Sequence, residues 1–213
     1  MYNSTQTLIQ EMAEDLQPVR ALRLRSGLLL LLAAVGLTVL GIALLSGLWA
    51  GVWQGEASAL FLTTNGLLLI LGCAAASSVL RMATPRVGNQ HDGPRWAALM
   101  LAVLPVAAVL SLVGHEHPLG EIADPHGLQC FGAAMLASLL SAAVLFYWLR
   151  RGAPVAPRTA GLYLGIAATT LGSAAYGLAC PMDGPVHLGL WHVAPVAVGA
   201  LLGRYLLPPL LRW

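Results

Sequence analysis

Residues 20–51 read RALRLRSGLLLLLAAVGLTVLGIALLSGLWAG, three arginines followed by a long run without a charged side chain. A helix that crosses the hydrocarbon core of a bilayer needs about 20 mainly apolar residues, and the run over 27–51 is long enough. It is about twice as long as the apolar region of a cleavable signal peptide, and the polar segment before it is long. We therefore expect the first apolar helix to be a permanent membrane anchor.

The rest of the chain repeats this pattern. It is 58% hydrophobic and 9% charged with a mean hydropathy of +0.76, whereas a soluble domain carries about 25% charged residues. We place spanning helices near residues 27–51, 58–80, 95–114, 128–149, 157–179 and 187–209. This predicts an all-α membrane protein, a six-transmembrane-helix bundle over 27–213 preceded by a cytoplasmic N-terminal segment over 1–26. No soluble catalytic domain fits, so we do not expect an enzyme.

The basic residues are distributed on one side of this predicted bundle. All eleven are arginines, and the loops on the other side contain none. They are Arg20, Arg23, Arg25, Arg81, Arg86, Arg95, Arg150, Arg151, Arg158, Arg204 and Arg212. Because loops rich in basic residues stay in the cytoplasm, both termini are predicted to be cytoplasmic. Arginines at the inner surface suit anionic lipid and give no argument for direct nucleic-acid binding.

The N-terminal segment has the pattern of a short amphipathic helix. Thr7 begins a capping-box spacing, and Leu8, Met12 and Leu16 recur every four residues until Pro18 ends the helix. Such an apolar stripe can lie on the membrane surface or bind a partner protein, and the pattern leaves both alternatives open.

Small and polar residues inside the predicted spans indicate close helix packing. Two Gly-x-x-x-Gly motifs, at 161–165 and 199–203, let helix backbones approach, and Asn65 is expected to pack against a neighbouring helix. Pro105 and Pro195 fall inside predicted helices and should kink them. Since no charged residue lies near a predicted bilayer midplane, ion-coupled transport is disfavoured.

Two of the three cysteines are predicted to lie at the outer face. Cys73 sits among small apolar residues in the second span, which favours a packing role. Cys130 and Cys180 lie at the outer ends of the fourth and fifth helices, which are consecutive and antiparallel. Outside the cytoplasm thiols can be oxidised, so a disulfide, a metal site and two unrelated buried thiols all remain alternatives.

Most histidines collect at the same outer face. They are His115, His117, His126, His187 and His192. Thiolate and imidazole favour zinc, copper and other soft or borderline metals, so these residues and both outer cysteines are candidate ligands of a transient heavy-metal ion. We expect no constitutive cofactor, and no spacing matches a standard zinc signature. His192 lies about 7.5 Å deeper along a helix than His187, where its ring needs a metal, a thiol or a backbone carbonyl as partner.

The order of several motifs resembles a known family. Asp15-Leu-Gln-Pro-Val-Arg20 precedes the first span, the outer Cys130 follows, and then come Cys180-Pro and Trp191-His192. Together with the six-span layout, this order is similar to that of the NrsF-type membrane anti-sigma factors. The resemblance covers essentially the whole chain.

The resemblance implies a function on each side of the bacterial inner membrane. The cytoplasmic face would sequester an extracytoplasmic-function sigma factor, and heavy-metal or oxidative stress at the periplasmic face would release it. Cys130 and Cys180 match by position the two periplasmic cysteines that are implicated in this response in the family. We expect the sigma factor to contact the N-terminal segment at Leu8, Met12, Asp15, Leu16, Pro18, Val19 and Arg20.

Two other classes of function are alternatives. An outer cysteine pair could serve a membrane thiol oxidoreductase or electron-transfer protein, although the chain has no Cys-x-x-Cys and no obvious second redox pair. The outer histidines could collect ions for a metal transporter, although the spans lack a chain of ligands through the midplane.

Overall fold

A computed structural model describes residues 2–14, 22–84, 93–113, 124–152 and 154–211, and every secondary-structure element within these ranges is helical. The elements are α1 (Tyr2–Glu14), α2 (Leu24–Leu45), α3 (Gly51–Gln54), α4 (Ala59–Met82), α5 (Gly93–Leu101), α6 (Val103–Ser111), α7 (Pro125–Arg151), α8 (Pro157–Gly177), a π-helical turn (His187–Trp191), α9 (Ala194–Leu206) and α10 (Pro208–Leu211). The prediction of an all-α protein is confirmed.

Four helical segments are long and apolar enough to cross a membrane. They are Leu24–Leu45, Ala59–Met82, Gly93–Leu112 and Pro125–Arg151. The last two predicted spans differ from these for physical reasons. α8 has 21 residues but is rich in glycine, alanine, serine and threonine, and α9 has only 13 because the π-helical turn replaces the first turns of the predicted helix. The count of six spans therefore stays a prediction.

Two proline residues interrupt helices as expected. α5 ends at Leu101, four residues before Pro105, and the π-helical turn ends at Trp191, four residues before Pro195. In each case the interruption falls at the residue whose carbonyl would accept a hydrogen bond from the missing proline N–H. Helical structure resumes at once, with Pro195 in the first turn of α9, where a proline is tolerated.

The first turns of α4 and α7 are fixed by side-chain caps. The Ser58 hydroxyl accepts a hydrogen bond from the Phe61 backbone N–H at 3.1 Å. The Asp124 carboxylate accepts one from the His126 backbone N–H at 3.0 Å, and Pro125 occupies the first helical position of α7. Such caps satisfy backbone donors that a helix leaves free at its start, so they define where α4 and α7 begin.

The N-terminal helix begins earlier than predicted. α1 starts at Tyr2, so Thr7 lies inside the helix and the predicted capping box at Thr7 is wrong. A helix interior offers no free N–H group for such a cap. Leu8 and Met12 are both more than half exposed on α1. The other residues expected to bind the sigma factor lie outside the described residues, and they are Asp15, Leu16, Pro18, Val19 and Arg20.

The centre of the bundle is α8, which packs against α4, α7 and α9. Fifteen of its 21 residues are buried. Beta carbons added at Gly161 and Gly165 would overlap the carbonyl oxygens of Gly203 and Gly199 on α9. The predicted Gly-x-x-x-Gly motifs thus face each other and bring the two backbones into contact. By contrast α2 is the most apolar of the four candidate spans and the least buried, as expected for a helix that faces lipid.

The two ends of the bundle are held together by different contacts between helices. At one end, the Trp148 indole N–H donates to the Leu80 backbone carbonyl at 3.2 Å. Gly27 packs against the side chains of Trp148 and Leu80 at the same end. At the other end, the Asn65 side chain fills the space beside Gly177, which confirms its predicted packing role. The first end carries the described arginines at the termini of α2, α4, α5, α7, α8 and α9, namely Arg23, Arg25, Arg81, Arg95, Arg150, Arg151, Arg158 and Arg204. We call it the arginine end.

We expect Gly165→Ala to destabilise the protein by about 1–3 kcal/mol, because the added methyl group would force the backbones of α8 and α9 apart. Gly132→Ala on α7 is the matched control, since nothing lies within 4 Å of its added β carbon. That variant should be neutral or more stable by up to about 1 kcal/mol, because alanine favours helix over glycine. Chemical unfolding in detergent, followed by helical circular dichroism, measures both. Equal stabilities would contradict the close packing of α8 and α9.

Candidate metal centre

Three elements bring two cysteines and two histidines together at the end opposite the arginines. Cys130 lies in the second turn of α7, and Cys180 lies three residues beyond the end of α8. His187 begins the π-helical turn and His192 directly follows it. The four candidate ligand atoms all lie within 4.8 Å of one another, and all four residues are buried. We call this group the Cys₂His₂ cluster.

Distances within the cluster are those of contacting but unbonded groups. The two Sγ atoms of Cys130 and Cys180 are 3.6 Å apart, and both cysteines are free thiols. The Cys180 Sγ is also 3.4 Å from the Nε2 of His187. The antiparallel arrangement of α7 and α8 therefore brings these thiols into contact, one of the alternatives that the sequence left open.

The deepest member of the cluster is His192. Its side chain is 1% exposed, and neither ring nitrogen has a hydrogen-bond partner among the described residues. The ring stacks on Tyr176 with centroids 6.5 Å apart and lies 5.5 Å from the ring of His187. Because a buried polar atom without a partner costs about 1–3 kcal/mol, a group that bonds to either ring nitrogen of His192 would relieve this cost.

Asp124 connects the cluster to the start of α7. While one carboxylate oxygen caps the helix, the other lies 3.4 Å from the Nδ1 of His187. This contact directs the Nε2 of His187 toward Cys180. We did not predict Asp124 as a site residue. Its position before Pro125 signals a helix cap in the sequence, but its approach to a histidine 63 residues away requires the fold.

Hydrogen bonding controls ionisation around the cluster. Burial raises the pKa of the Asp124 carboxyl, but the His126 backbone N–H and the rings of His187 and His126 outweigh this and hold the pKa below its usual value. The hydrogen bond from the Cys130 thiol lowers the pKa of Cys180, burial opposes this, and the His187 ring lowers it further. The pKa of Cys180 is therefore below that of a free cysteine, which favours the thiolate form that binds metals.

The structure separates the predicted histidines into distinct groups. His187 and His192 belong to the cluster, whereas His126 is exposed and its ring lies 3.4 Å from the capping carboxylate of Asp124. His115 and His117 lie outside the described residues.

The remaining cysteine does not belong to the cluster. Cys73 lies on an exposed face of α4, so its predicted packing role is wrong. Small neighbours on a helix do not bury a residue when its own face points out of the bundle.

Close thiols should oxidise as a pair. Diamide accepts two electrons and two protons from two thiols, so treatment of the wild type should form a Cys130–Cys180 disulfide and leave one of the three thiols alkylatable after denaturation. Cys130→Ser should abolish this loss, whereas Cys73→Ser, the control, should still lose both of its remaining thiols. Mass spectrometry of alkylated protein counts the thiols. Three alkylated thiols in treated wild type would contradict the pairing.

Comparisons with known proteins identify the family. A family model described as negative regulator of sigma F matches residues 12–213. The probable anti-sigma-F factor NrsF of Azospira oryzae is 30% identical over 164 residues, which cover 72% of this chain and 73% of that relative. The anti-sigma-F factor NrsF of Caulobacter vibrioides is 26% identical over 147 residues, 68% of each chain. No solved structure matches. The chain therefore belongs to the NrsF family of negative regulators of sigma F.

Proposed function

We propose that this chain is an inner-membrane anti-sigma factor that sequesters an extracytoplasmic-function sigma factor and releases it when Cys130 and Cys180 react with a heavy metal or an oxidant. Family membership supports a role in sigma-factor inhibition. The observation that carries the sensing function is the contact between the two thiols, 3.6 Å apart, at the end of the bundle opposite the arginines.

The distribution of charge supports a topology for this function. The described arginines lie at one end of the bundle and the Cys₂His₂ cluster lies at the other. By the positive-inside rule the arginine end faces the cytoplasm. The cysteines then face the periplasm, and both termini are cytoplasmic. α2 begins at the arginine end, so the N-terminal segment also lies on the side where a sigma factor is present.

The apolar side of α1 is the proposed binding surface for the sigma factor. Leu8, Ile9 and Met12 are each more than half exposed on this 13-residue helix. An amphipathic helix binds a partner by placing such an apolar stripe in a groove. The same stripe could rest on lipid, and release of the sigma factor would then consist of moving it from protein to membrane.

The central helix offers a physical route between the two ends. α8 has a length of about 30 Å and connects the residues before Cys180 to the contacts of Gly161 and Gly165 with α9 at the arginine end. A signal outside changes the inside only if it favours one of two bundle arrangements. Because the backbones of α8 and α9 touch, a shift of α8 at the cysteine end must move α9 or separate the two helices.

The sigma-factor surface can be tested by adding charge to one side of α1. Leu8→Glu/Met12→Glu should abolish retention of the cognate sigma factor in a pull-down with the membrane-extracted protein. The matched control is Gln6→Glu/Gln10→Glu, which adds the same two charges with the same spacing to the opposite side of the helix. This control should retain the sigma factor. Full retention by the Leu8/Met12 variant would exclude the apolar stripe as the binding surface.

The sensing function can be tested with a reporter for sigma-factor activity in cells exposed to cadmium or to an oxidant. Cys130→Ser and Cys180→Ser should each keep the sigma factor inhibited and reduce induction to the uninduced level, because one thiol can neither pair nor bridge an ion. Cys73→Ser is the control and should respond as the wild type does, since Cys73 lies on an exposed face of α4. A normal response from both single variants of the pair would overturn the sensing function.

A further inference from the structure

We infer that Cys130, Cys180, His187 and His192 form a four-coordinate site for a divalent ion of the zinc class, Zn²⁺ or Cd²⁺, in which Asp124 is a positioning residue for His187. The assignment of this ion as the signal rests on the proposed function, whereas the site itself rests on the geometry of the cluster.

The first argument is the size of the cluster. Zn–S bonds of about 2.3 Å and Zn–N bonds of about 2.0–2.1 Å at tetrahedral angles place two sulfurs about 3.8 Å apart and a sulfur about 3.5 Å from a nitrogen. The Sγ atoms of Cys130 and Cys180 are 3.6 Å apart, and the Cys180 Sγ lies 3.4 Å from the Nε2 of His187. All four ligand atoms lie within 4.8 Å, so an ion can enter with small side-chain adjustments.

The second argument is the partner that His192 lacks. The thiol contacts and the Asp124 contact account for Cys130, Cys180 and His187 without any ion. They do not account for His192, which is 1% exposed and has no hydrogen-bond partner at either nitrogen among the described residues. An ion between the two thiols would coordinate one of these nitrogens. Each of the four ligand side chains would then have a bonding partner.

The third argument is the support behind His187. Histidines that bind metals usually donate their other ring N–H to a carboxylate or carbonyl, which fixes the ring for coordination. The Asp124 oxygen lies 3.4 Å from Nδ1 of His187, while Nε2 faces Cys180. Asp124 itself is held by capping α7.

Charge and ligand type select the class of ion. Binding of M²⁺ displaces one proton from each thiol, and two thiolates with two neutral imidazoles then give a site of zero net charge. Neutrality suits a cluster whose four residues are all buried, because a buried net charge is costly. A monovalent copper ion would leave one negative charge, and Mg²⁺ or Ca²⁺ would require oxygen ligands.

The site can be tested with Co²⁺ as a spectroscopic probe of the full chain in detergent. Titration should produce visible d–d bands typical of tetrahedral coordination with thiolate-to-metal charge transfer, saturate at one ion per chain, and disappear when Zn²⁺ or Cd²⁺ is added. His192→Gln should change the bands and weaken binding by more than 100-fold. The matched control is Cys73→Ser, which removes the exposed thiol of α4 outside the cluster and should leave bands and affinity unchanged.

Asp124→Asn tests the positioning function separately. Asparagine can still cap α7, but it cannot hold His187 by charge, so the affinity should fall about 10–100-fold while the positions of the bands stay the same. A purely structural contribution of Asp124 would instead lower stability and leave the affinity of the folded protein unaltered. Helical circular dichroism and gel filtration establish that each variant is folded, and His187→Gln replaces His192→Gln if the latter is not.

The outcomes separate this inference from the proposed function. No tetrahedral bands, or bands that are the same in the wild type and in folded His192→Gln, would overturn the metal site. A stress response that requires both cysteines but persists in His192→Gln would identify disulfide formation as the signal and would overturn the assignment of the ion as the signal. A chain that binds Co²⁺ through all four ligands but never retains a sigma factor would uphold the site and refute the proposed function.

Discussion

Contact between the backbones of α8 and α9 is the constraint on which the rest of the bundle depends. Glycines face each other at Gly161 and Gly203 and at Gly165 and Gly199, with no room for a β carbon. This approach draws α9 against the central helix, and α4 and α7 pack on its other sides. With α8 in the centre, its last turn and the start of α7 come together at the opposite end. The pairing of Cys130 with Cys180 is a consequence of that packing.

The sequence predicts the parts of this structure that depend on local pattern. Apolar runs and the positions of arginines locate most of the helices, and the antiparallel order of two consecutive helices makes contact between Cys130 and Cys180 feasible without deciding it. The central position of α8 is not predictable in this way, because hydropathy reflects composition and not neighbours. The sequence places His192 deeper than His187, but it does not show the local structure that separates His192 from His126. That separation depends on the π-helical turn before Pro195, which carries one histidine inward, and on a cap that leaves the other exposed.

Family membership and the cluster contribute different kinds of knowledge. The family is described as a negative regulator of sigma F. Family membership therefore concerns the target that is inhibited. The cluster concerns what the protein is proposed to detect, since two thiols, two imidazoles and a supporting carboxylate offer ligands whose chemistry does not depend on the partner. Asp124 belongs to both the fold and the site. The carboxylate that starts α7 also orients His187, so the helix that carries Cys130 and the histidine that would share its ion are positioned by one side chain.

The composition of α8 has a consequence for how the protein is made. A helix of glycine, alanine, serine and threonine gains little free energy from entering lipid by itself, unlike α2, with a mean hydropathy of 2.8. In the proposed topology α8 must therefore be retained in the bilayer by helices that flank it, with α4 and α7 synthesised before it and α9 after it. Membrane insertion and tertiary assembly then become one process. A substitution that disrupts the glycine contacts would therefore impair biogenesis. It would let α8 leave the bilayer before the mature protein encounters any signal.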